Sequence, residues 1–398
     1  MVNDIRSQPA KGAFYLYQGL VTAFVRLPIS MLSNALPATR PRPSWTFKQA
    51  VLRDMTHFIQ DRLSRVKGFH FIADAEHPVT GPGIKLSWVN PAQDTLFTSE
   101  LQEWMRITKA STARIPGYWI DNTSNNATLA GAPPTKGERI LFHLHGGGYV
   151  RMSAAPQDLA ADLLRGVMEH SSSVTRAFNL EYRLASAPPD QPANAFPTAL
   201  LDAIAGYVYL VNEVGFAPED IILSGDSAGG NLALALSRYL VENTGLEALP
   251  APPGGLVLES PWVDMSGSLD KQSIADGLFK SDYLSLPGTR VREYSIEAFL
   301  GPLSRDILLS RYISPASIEP RAEAVSFEGF PRTFVSGGGG ESFAPSIRLL
   351  VERMKKDIGE GCTYVEAADA VHDFLLFTYW EPERTKTFKE IGAWIEQL

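Results

Sequence analysis

The stretch that decides the fold is DIILSGDSAGG, residues 220–230, followed at once by NLALALSRYLVEN, residues 231–243. The first part is an apolar run that stops at glycine, which predicts a buried strand. The second part has the apolar spacing of a helix. Between them, Gly225 and Gly229 flank Ser227 in the pattern G-x-S-x-G. So tight a turn needs small neighbours and leaves its central side chain exposed at the strand end.

Other strand-like runs surround this unit, and helical stretches such as residues 196–215 and 345–359 separate them. Strands that alternate with helices predict an α/β fold with a mostly parallel central sheet and helices on both faces. Short, continuously apolar strands also fit a sheet that is buried on both sides. The strand-like runs lie at residues 138–145, 172–184, 254–262, 332–340 and 362–369.

Composition excludes several classes of protein. The chain has 398 residues, a net charge of −8 and no dense run of Lys and Arg, so it lacks the electrostatic footprint of a nucleic-acid-binding protein. A single cysteine, Cys362, excludes an internal disulfide and a zinc cluster built on thiolates. This cysteine content fits a reducing compartment, and we predict an intracellular location.

The turn at Ser227 predicts nucleophilic catalysis. A serine hydroxyl is a poor nucleophile at neutral pH and needs an adjacent histidine. Of the seven histidines, His372 in ADAVHDFLL is the best candidate, because it follows the last predicted strand and comes after the serine in chain order. The helix that begins at Ser227 would also stabilise negative charge at its positive end.

Three consecutive glycines in FHLHGGGYV, residues 142–150, predict a site for negative charge. An oxyanion formed by serine attack needs N–H donors already in place. The amides of Gly147 and Gly148 can supply them because no Cβ blocks the approach, and the amide of Ala228 would add another. A flexible linker is disfavoured, since strand and helix signals flank the glycines closely.

Two histidines precede these glycines, and a metal pair is one interpretation of them. His143 and His145 stand at i and i+2, but no third cluster of ligands accompanies them. We expect them to form local hydrogen bonds and to shape the glycine loop. The sequence predicts neither a metal nor a cofactor.

Several motifs together resemble the hormone-sensitive-lipase-like esterases, a branch of the α/β-hydrolase fold. They are HGGGY, EYRLAS, FPTALLDA, GDSAGGNLALAL, SPW and VHDF, spread over residues 138–398. The resemblance implies hydrolysis of carboxylic esters through Ser227, with His372 as base and an oxyanion hole at the glycine loop. It also implies a helical cap, built from N-terminal helices and an insert near residues 265–305. The N-terminal region resembles lipase-like members found in fungi.

The third catalytic residue is the least typical part of this resemblance. The family commonly carries an aspartate in a stretch like G-x-D-x-L-x-D, whereas this chain has SGGGGESFAPS, in which Glu341 is the only acid. We predict that Glu341 orients His372, because glutamate fills this role in some hydrolases. Asp369 and Asp373 are rivals, but neighbours so close in sequence seldom reach the far edge of the imidazole ring.

We predict two parts of the chain, residues 1–110 with an N-terminal segment and cap elements, and residues 111–398 with the catalytic domain. An apolar helix is expected near residues 13–36. Its uncharged stretch of thirteen residues is too short to span a bilayer, which needs about 20. It would pack on the enzyme body or lie at a membrane interface, at the endoplasmic reticulum or another lipid surface. Its apolar face would contain Leu16, Leu20, Phe24, Leu27 and Met31.

Secretion is the less favoured interpretation, because no basic segment leads into a clear cleavage site. Two glycosylation sequons, at Asn122 and Asn126, would matter only in the secretory pathway.

Two classes of function compete at this point. The first is a serine carboxylesterase or lipase that cleaves a small-molecule acyl ester, or a related deacetylase or lactonase. The second is a catalytically silent binding protein on the same fold, as in the plant gibberellin receptors, which resemble these esterases. The presence of Ser227, Glu341 and His372 favours the enzyme.

Overall fold

The computed structural model describes residues 9–62, 74–122 and 129–398. Its centre is an eight-stranded sheet with the strand order β1-β2-β4-β3-β5-β6-β7-β8. All neighbours from β4 to β8 pair in parallel, and β2 alone runs against the others in this sheet. The strands are β1 (Lys85–Val89), β2 (Ile115–Asp121), β3 (Arg139–Leu144), β4 (Val174–Leu180), β5 (Ile221–Asp226), β6 (Gly255–Glu259), β7 (Arg332–Gly338) and β8 (Cys362–Ala367).

The predicted fold class is confirmed, and each of the six predicted strands is present as β3 to β8. The sequence pattern did not predict β1 and β2. Pro116 and Gly117 are uncommon inside strands and therefore weaken the sequence signal of β2. In the structure Gly117 has a packing role, because the ring of Phe178 occupies the space that a Cβ at this position would need. β1 lies before residue 110 and still pairs with β2, so the sheet begins earlier than the predicted catalytic domain.

Helices cover both faces of the sheet. One core cluster lies between the sheet and α4, α6, α7 and α11, and a second lies between the sheet and α5 and α12. The helices are α1 (Ala10–Val21), α2 (Leu27–Ser33), α3 (Phe47–Arg62), α4 (Ser99–Thr108), α5 (Leu159–Glu169), α6 (Thr198–Val208), α7 (Ser227–Glu242), α8 (Asp270–Ala275), α9 (Leu278–Ser281), α10 (Arg290–Leu300), α11 (Ala344–Ile358) and α12 (Glu383–Ile395). The sheet, including the strand ends that carry the predicted site, therefore lies between two layers of helices.

The described N-terminal segment is helical over α1 and α2. A π-helical turn, Thr22–Arg26, joins α1 to α2. The helix packs through polar side chains: Asp54 of α3 accepts hydrogen bonds from the Ser30 hydroxyl at 2.6 Å and the Asn34 amide at 2.8 Å. Most of the predicted apolar face points to solvent instead, with Phe24 75% exposed.

A proline-rich segment, residues 37–45, follows α2 and is anchored to the rest of the fold. Trp45 is buried and packs edge-on against Trp380, with 5.3 Å between ring centroids. The Ser44 hydroxyl donates to the Asp369 carboxylate at 2.6 Å, and the Trp45 indole donates to the Asp369 carbonyl at 2.8 Å. The segment before α3 is thus held at the loop that follows β8.

The region of the predicted insert, residues 265–305, contains α8, α9 and α10. Of the two sequons, Asn122 follows β2, and its side-chain amide donates to the Met168 carbonyl at 3.3 Å. Asn126 lies outside the described residues. Among the helices described, none has the length and hydropathy needed to cross a membrane.

Candidate active site

Ser227 occupies the turn between β5 and α7 that the sequence predicts. Its backbone is left-handed, with φ = 51°, a strained conformation for a residue with a side chain. The glycines around it are required by close approach. A Cβ on Gly225 would collide with the Gly229 carbonyl, and one on Gly229 would collide with the Leu144 carbonyl. The backbone thus holds the hydroxyl at the carboxyl end of the sheet.

His372 lies in the loop after β8, and its Nε2 is 2.9 Å from the Oγ of Ser227. Both residues are buried. Because β5 and β8 are parallel strands of one sheet, their carboxyl ends bring residues 145 positions apart into hydrogen-bonding distance. A neutral imidazole in this position can accept the serine proton.

Glu341 follows β7 and faces the opposite edge of the imidazole ring. Its Oε1 is 3.8 Å from Nδ1 of His372, and neither atom has another hydrogen-bond partner in the described part of the chain. The other oxygen, Oε2, accepts the Ser260 hydroxyl at 2.6 Å and the Gly338 amide at 2.9 Å. These two hydrogen bonds fix the carboxylate in place. A slightly shorter distance between Oε1 and Nδ1 would complete a hydrogen bond from the ring to Glu341.

The two rival acids occupy different places. Asp373 does contact His372, but its Oδ2 lies 3.0 Å from Nε2, the nitrogen that faces Ser227. Asp369 binds Ser44 on the outer side of the loop. Of these three acids, Glu341 is the one whose carboxylate faces Nδ1.

The acids change the protonation of the histidine. Burial alone would lower the pKa of His372, but the carboxylates of Asp373 and Glu341 outweigh it and raise this pKa well above its usual value. Burial in turn raises the pKa of the Asp373 carboxyl. When the imidazole is protonated, Asp373 competes with Ser227 for the hydrogen on Nε2, and the histidine cannot act as a base.

The glycine loop after β3 lies beside this pair. The Gly146 amide donates to Oδ1 of the buried Asp226 at 2.9 Å. Gly147 and Gly148 have φ of 104° and 64°, and a Cβ on Gly147 would collide with the Arg151 carbonyl. Within the described part of the chain their two amides donate to no other group, so they are available to a ligand.

The Ala228 amide is a third available donor at this edge. Ala228 is fully buried in the first turn of α7. Amides in the first turn of a helix have no partner within the helix. This amide therefore lies next to Ser227, at the carboxyl end of β5, without a partner inside the helix.

The two histidines before the loop form local hydrogen bonds, as expected. His143 contacts Ser224 at 2.8 Å and Asp226 at 3.2 Å. His145 contacts the Gly146 carbonyl at 2.9 Å and stacks on Tyr182, and burial lowers its pKa to about 4. Residues 9–62, 74–122 and 129–398 contain no cluster of three His, Cys, Asp or Glu side chains suited to a metal.

Sequence reasoning missed two residues that hold the catalytic loops together. The Ser260 hydroxyl donates to Glu341 and accepts the Asp373 amide at 3.1 Å. Asp282, between α9 and α10, accepts the Ser342 amide and hydroxyl, both at 2.8 Å, and the His372 amide at 3.2 Å. Asp282 carries no motif of its own. Its only signal in the sequence is an acidic residue inside the predicted insert.

A cavity of about 570 Å³ opens onto Ser227. Its wall combines the carboxyl edge of the sheet with apolar and polar side chains from α3 and the insert. Lining residues from outside the sheet edge include Ile59, Phe279, Leu284, Val291 and Phe377. A ligand in this cavity would be largely shielded from water next to the serine hydroxyl.

A family model described as the alpha/beta hydrolase fold matches residues 141–376. The chain belongs to this family. The match extends from β3 to just past His372 and therefore includes the glycine loop, the serine turn and the loop after β8.

Several similar proteins carry the names of esterases or of an acetyl-hydrolase. The chain is 35% identical to an acetyl-hydrolase of Streptomyces hygroscopicus, over 66% of this chain and 77% of that protein. It is 28% identical to an esterase of Acinetobacter venetianus, over 65% of this chain and 75% of that protein. It is 27% identical to esterase LipU of Mycobacterium tuberculosis, over 72% of this chain and 88% of that protein.

Solved structures share the fold of this α/β hydrolase. An esterase/lipase from an uncultured bacterium superposes with a TM-score of 0.56 at 22% identity, covering 92% of this chain and 96% of that one. A hormone-sensitive lipase from a metagenome library superposes with a TM-score of 0.54 at 24% identity, covering 87% of this chain and 91% of that one. These structures agree with the predicted fold, and the family match and the named relatives confirm the prediction of a serine ester hydrolase.

Proposed function

We propose that this α/β hydrolase cleaves a carboxylic ester through an acyl-enzyme on Ser227. The observation that carries the proposal is the 2.9 Å contact between the Ser227 hydroxyl and Nε2 of His372, in a strained turn that places the serine at the cavity wall. In this proposal Glu341 orients the histidine through Nδ1. The amides of Gly147, Gly148 and Ala228 form the oxyanion hole.

Acylation begins when His372 takes the proton of the Ser227 hydroxyl as Oγ attacks the ester carbon. The carbonyl oxygen becomes an oxyanion, and the three backbone amides donate to it. When the intermediate collapses, the bond from carbon to the alcohol oxygen breaks. The imidazolium gives its proton to that oxygen, and the alcohol leaves.

Deacylation repeats these steps with water. A water molecule attacks the acyl carbon while His372 takes its proton. His372 then gives the proton to Oγ of Ser227 as the bond from Oγ to the acyl carbon breaks. The products are the free acid and the resting enzyme, so no cofactor is consumed. Glu341 holds the imidazole ring in place and stabilises the imidazolium in both halves of the reaction.

The Ser227→Ala variant tests the proposal. It should keep the fold and lose essentially all hydrolysis of p-nitrophenyl esters, assayed over a series of acyl chain lengths. The matched control is Ser285→Ala, which removes a hydroxyl from the same cavity that has no hydrogen-bond partner among the described residues. Near wild-type turnover in Ser227→Ala would contradict the acyl-enzyme mechanism, and inactivity of the wild type on every ester would favour the silent binding protein.

We further propose that α1 and α2 rest on a lipid surface. Their exposed apolar residues are Leu16, Tyr17, Leu20, Phe24, Val25, Ile29, Met31 and Leu32. Exposed apolar area of this extent on one helical segment is typical of an interaction surface. Binding to lipid vesicles tests the idea directly.

Charge favours an anionic lipid as the occupant of this surface. Residues 9–62 carry seven Lys and Arg side chains against two Asp side chains, in a chain whose net charge is −8. A basic segment with an apolar face is attracted to anionic headgroups. The adjoining helix α3 contributes Thr56, Ile59 and Gln60 to the cavity wall, so a lipid surface at this helix would lie beside the site.

A further inference from the structure

The cavity contains one positive charge that the proposed mechanism does not use. Two arginines line it. Arg292 is paired with Asp270 at 2.9 Å, so a neighbour balances its charge. Arg151 has no such neighbour. Among the described residues no carboxylate lies within ion-pairing distance of its guanidinium, and these residues include every Asp and Glu of the chain except Asp4.

The contacts of Arg151 leave most of its donors free for a ligand. Its Nη2 donates a long hydrogen bond to the Ser295 hydroxyl at 3.4 Å. A guanidinium has five N–H donors, and the remaining ones have no acceptor in the described part of the protein. Burial lowers the pKa of Arg151 from its usual range, although an arginine remains charged at neutral pH. Arg151 is half-buried, and a partly desolvated charge without a carboxylate partner costs free energy that a ligand of opposite charge would offset.

The position of this charge connects it with the reaction site. Arg151 follows the glycine loop by three residues, and its Nη2 is 3.9 Å from the point where a Cβ on Gly148 would stand. Its main-chain carbonyl packs against Gly147. A ligand group that binds the guanidinium would thus belong to the same molecule as an ester carbonyl held at the proposed oxyanion hole.

We propose that Arg151 selects esters that carry a carboxylate elsewhere in the molecule. A carboxylate matches the planar fork of a guanidinium and can accept two parallel hydrogen bonds. The other acids of the cavity wall, Asp158 and Asp373, lie outside ion-pairing distance of Arg151 and leave it available. This inference rests on the proposed esterase function and specifies its substrate class.

The test compares charged esters with neutral isosteres. Monoethyl adipate carries its carboxylate on the acyl part, and 6-acetoxyhexanoate carries it on the alcohol part. The primary amide of each is the neutral partner. Release of ethanol or acetate gives kcat/KM for all four compounds. The wild type should prefer the carboxylate of at least one pair, and the preferred pair shows on which side of the ester the charge lies.

Variants locate the preference at the guanidinium. Arg151→Met should lower kcat/KM for the preferred carboxylate by roughly ten- to a hundredfold, mainly through KM, as expected for loss of a charge-assisted hydrogen bond. It should leave the matching amide nearly unchanged. Arg151→Lys should restore part of the preference, and the control Arg292→Met should leave the preference as it is.

Three outcomes would overturn the inference: no carboxylate preference in the wild type, an unchanged preference in Arg151→Met, or an equal loss on charged and neutral esters. The last would indicate that Arg151 only supports the loop. Hydrolysis of p-nitrophenyl acetate in the same preparations separates this failure from failure of the esterase proposal. If the wild type hydrolyses that neutral ester and still ignores the carboxylate, the esterase proposal stands and the substrate class is wrong.

Discussion

The carboxyl edge of the sheet and the N-terminal helix, formed by α1 and α2, differ in which side chains they bury and which they expose. At the sheet edge, Glu341 and Asp282 are fully buried, and each accepts several hydrogen bonds. In the N-terminal helix, polar Ser30 and Asn34 face inward to Asp54, while apolar side chains point to solvent. In both regions these polar side chains are buried where hydrogen-bond partners meet them.

The difference is informative about function. Buried acids at the sheet edge cost desolvation energy and are offset by their hydrogen bonds and by the histidine they serve. Exposed apolar side chains on the helix cost energy in water and have nothing to offset them within the described chain. The first arrangement is complete within the protein, whereas the second points to a surface outside it.

The largest effect is expected at the acid of the sheet edge. Glu341→Gln keeps the shape of the side chain but cannot stabilise the imidazolium, so turnover should fall on the order of a hundred- to ten-thousandfold at every pH. The measurement is kcat for p-nitrophenyl ester hydrolysis from pH 5 to 9, with Asp369→Asn as the control on the outer side of the loop.

Asp373→Asn should behave differently in the same assay. The Asp373 carboxylate raises the pKa of His372, so its removal lowers that pKa and enlarges the unprotonated fraction of the histidine below neutrality. The acidic limb of the rate profile should therefore move to lower pH while the maximum changes little. A nearly active Glu341→Gln beside an inactive aspartate variant would show that our assignment of the acid is wrong.

The sequence was most informative where the backbone itself is constrained. The pattern around Ser227 predicted both the strand and the helix, because only small residues tolerate the contacts at Gly225 and Gly229. His372 was found from its order in the chain. Glu341 was harder, since nothing in the sequence reports the 3.8 Å separation or the edge of the ring that each acid faces.

The remaining features depend on packing between distant segments. The role of Asp282 arises only when the insert folds over the loops after β7 and β8. The N-terminal helix shows the converse, because helical spacing predicted its apolar face and said nothing about which face docks. There the hydrogen bonds to Asp54 decided the orientation. The spacing of apolar residues predicts that a segment is helical. The surface against which the helix packs depends on the rest of the fold.

A smaller effect is expected at the acid that links the insert to the catalytic loops. Asp282→Asn loses one charged acceptor for the Ser342 and His372 amides, which should cost about 1–3 kcal/mol in the free energy of unfolding. Looser placement of His372 should lower kcat by roughly tenfold with little change in KM. Denaturant unfolding and steady-state kinetics measure both quantities.

The control for this variant is Asp270→Asn, an acid of the same insert that pairs with Arg292. It should affect stability without a selective loss of kcat. If both variants lower kcat alike, Asp282 has no special role in positioning the histidine, and its hydrogen bonds serve only to hold the insert in place.

The smallest effect on the enzyme itself is expected at the N-terminal helix. Phe24 and Leu32 are 75% and 78% exposed, so replacing both with serine should change the free energy of unfolding by no more than about 0.5 kcal/mol each. Hydrolysis of a small water-soluble ester should also be unchanged. Binding to vesicles that contain anionic lipid should fall by roughly tenfold or more, because each apolar side chain buried in lipid contributes about 1.5–3 kcal/mol.

The matched control replaces Leu129 and Ile318, which are 79% and 54% exposed and lie outside this helix. That double serine variant should float with the vesicles as the wild type does. Raising the salt concentration should weaken binding of the wild type, since screening reduces the attraction of the basic segment to anionic headgroups. Equal flotation of both double variants would refute a lipid surface. A change in oligomeric state confined to the Phe24 and Leu32 variant would show instead that this apolar face packs against a second copy of the chain.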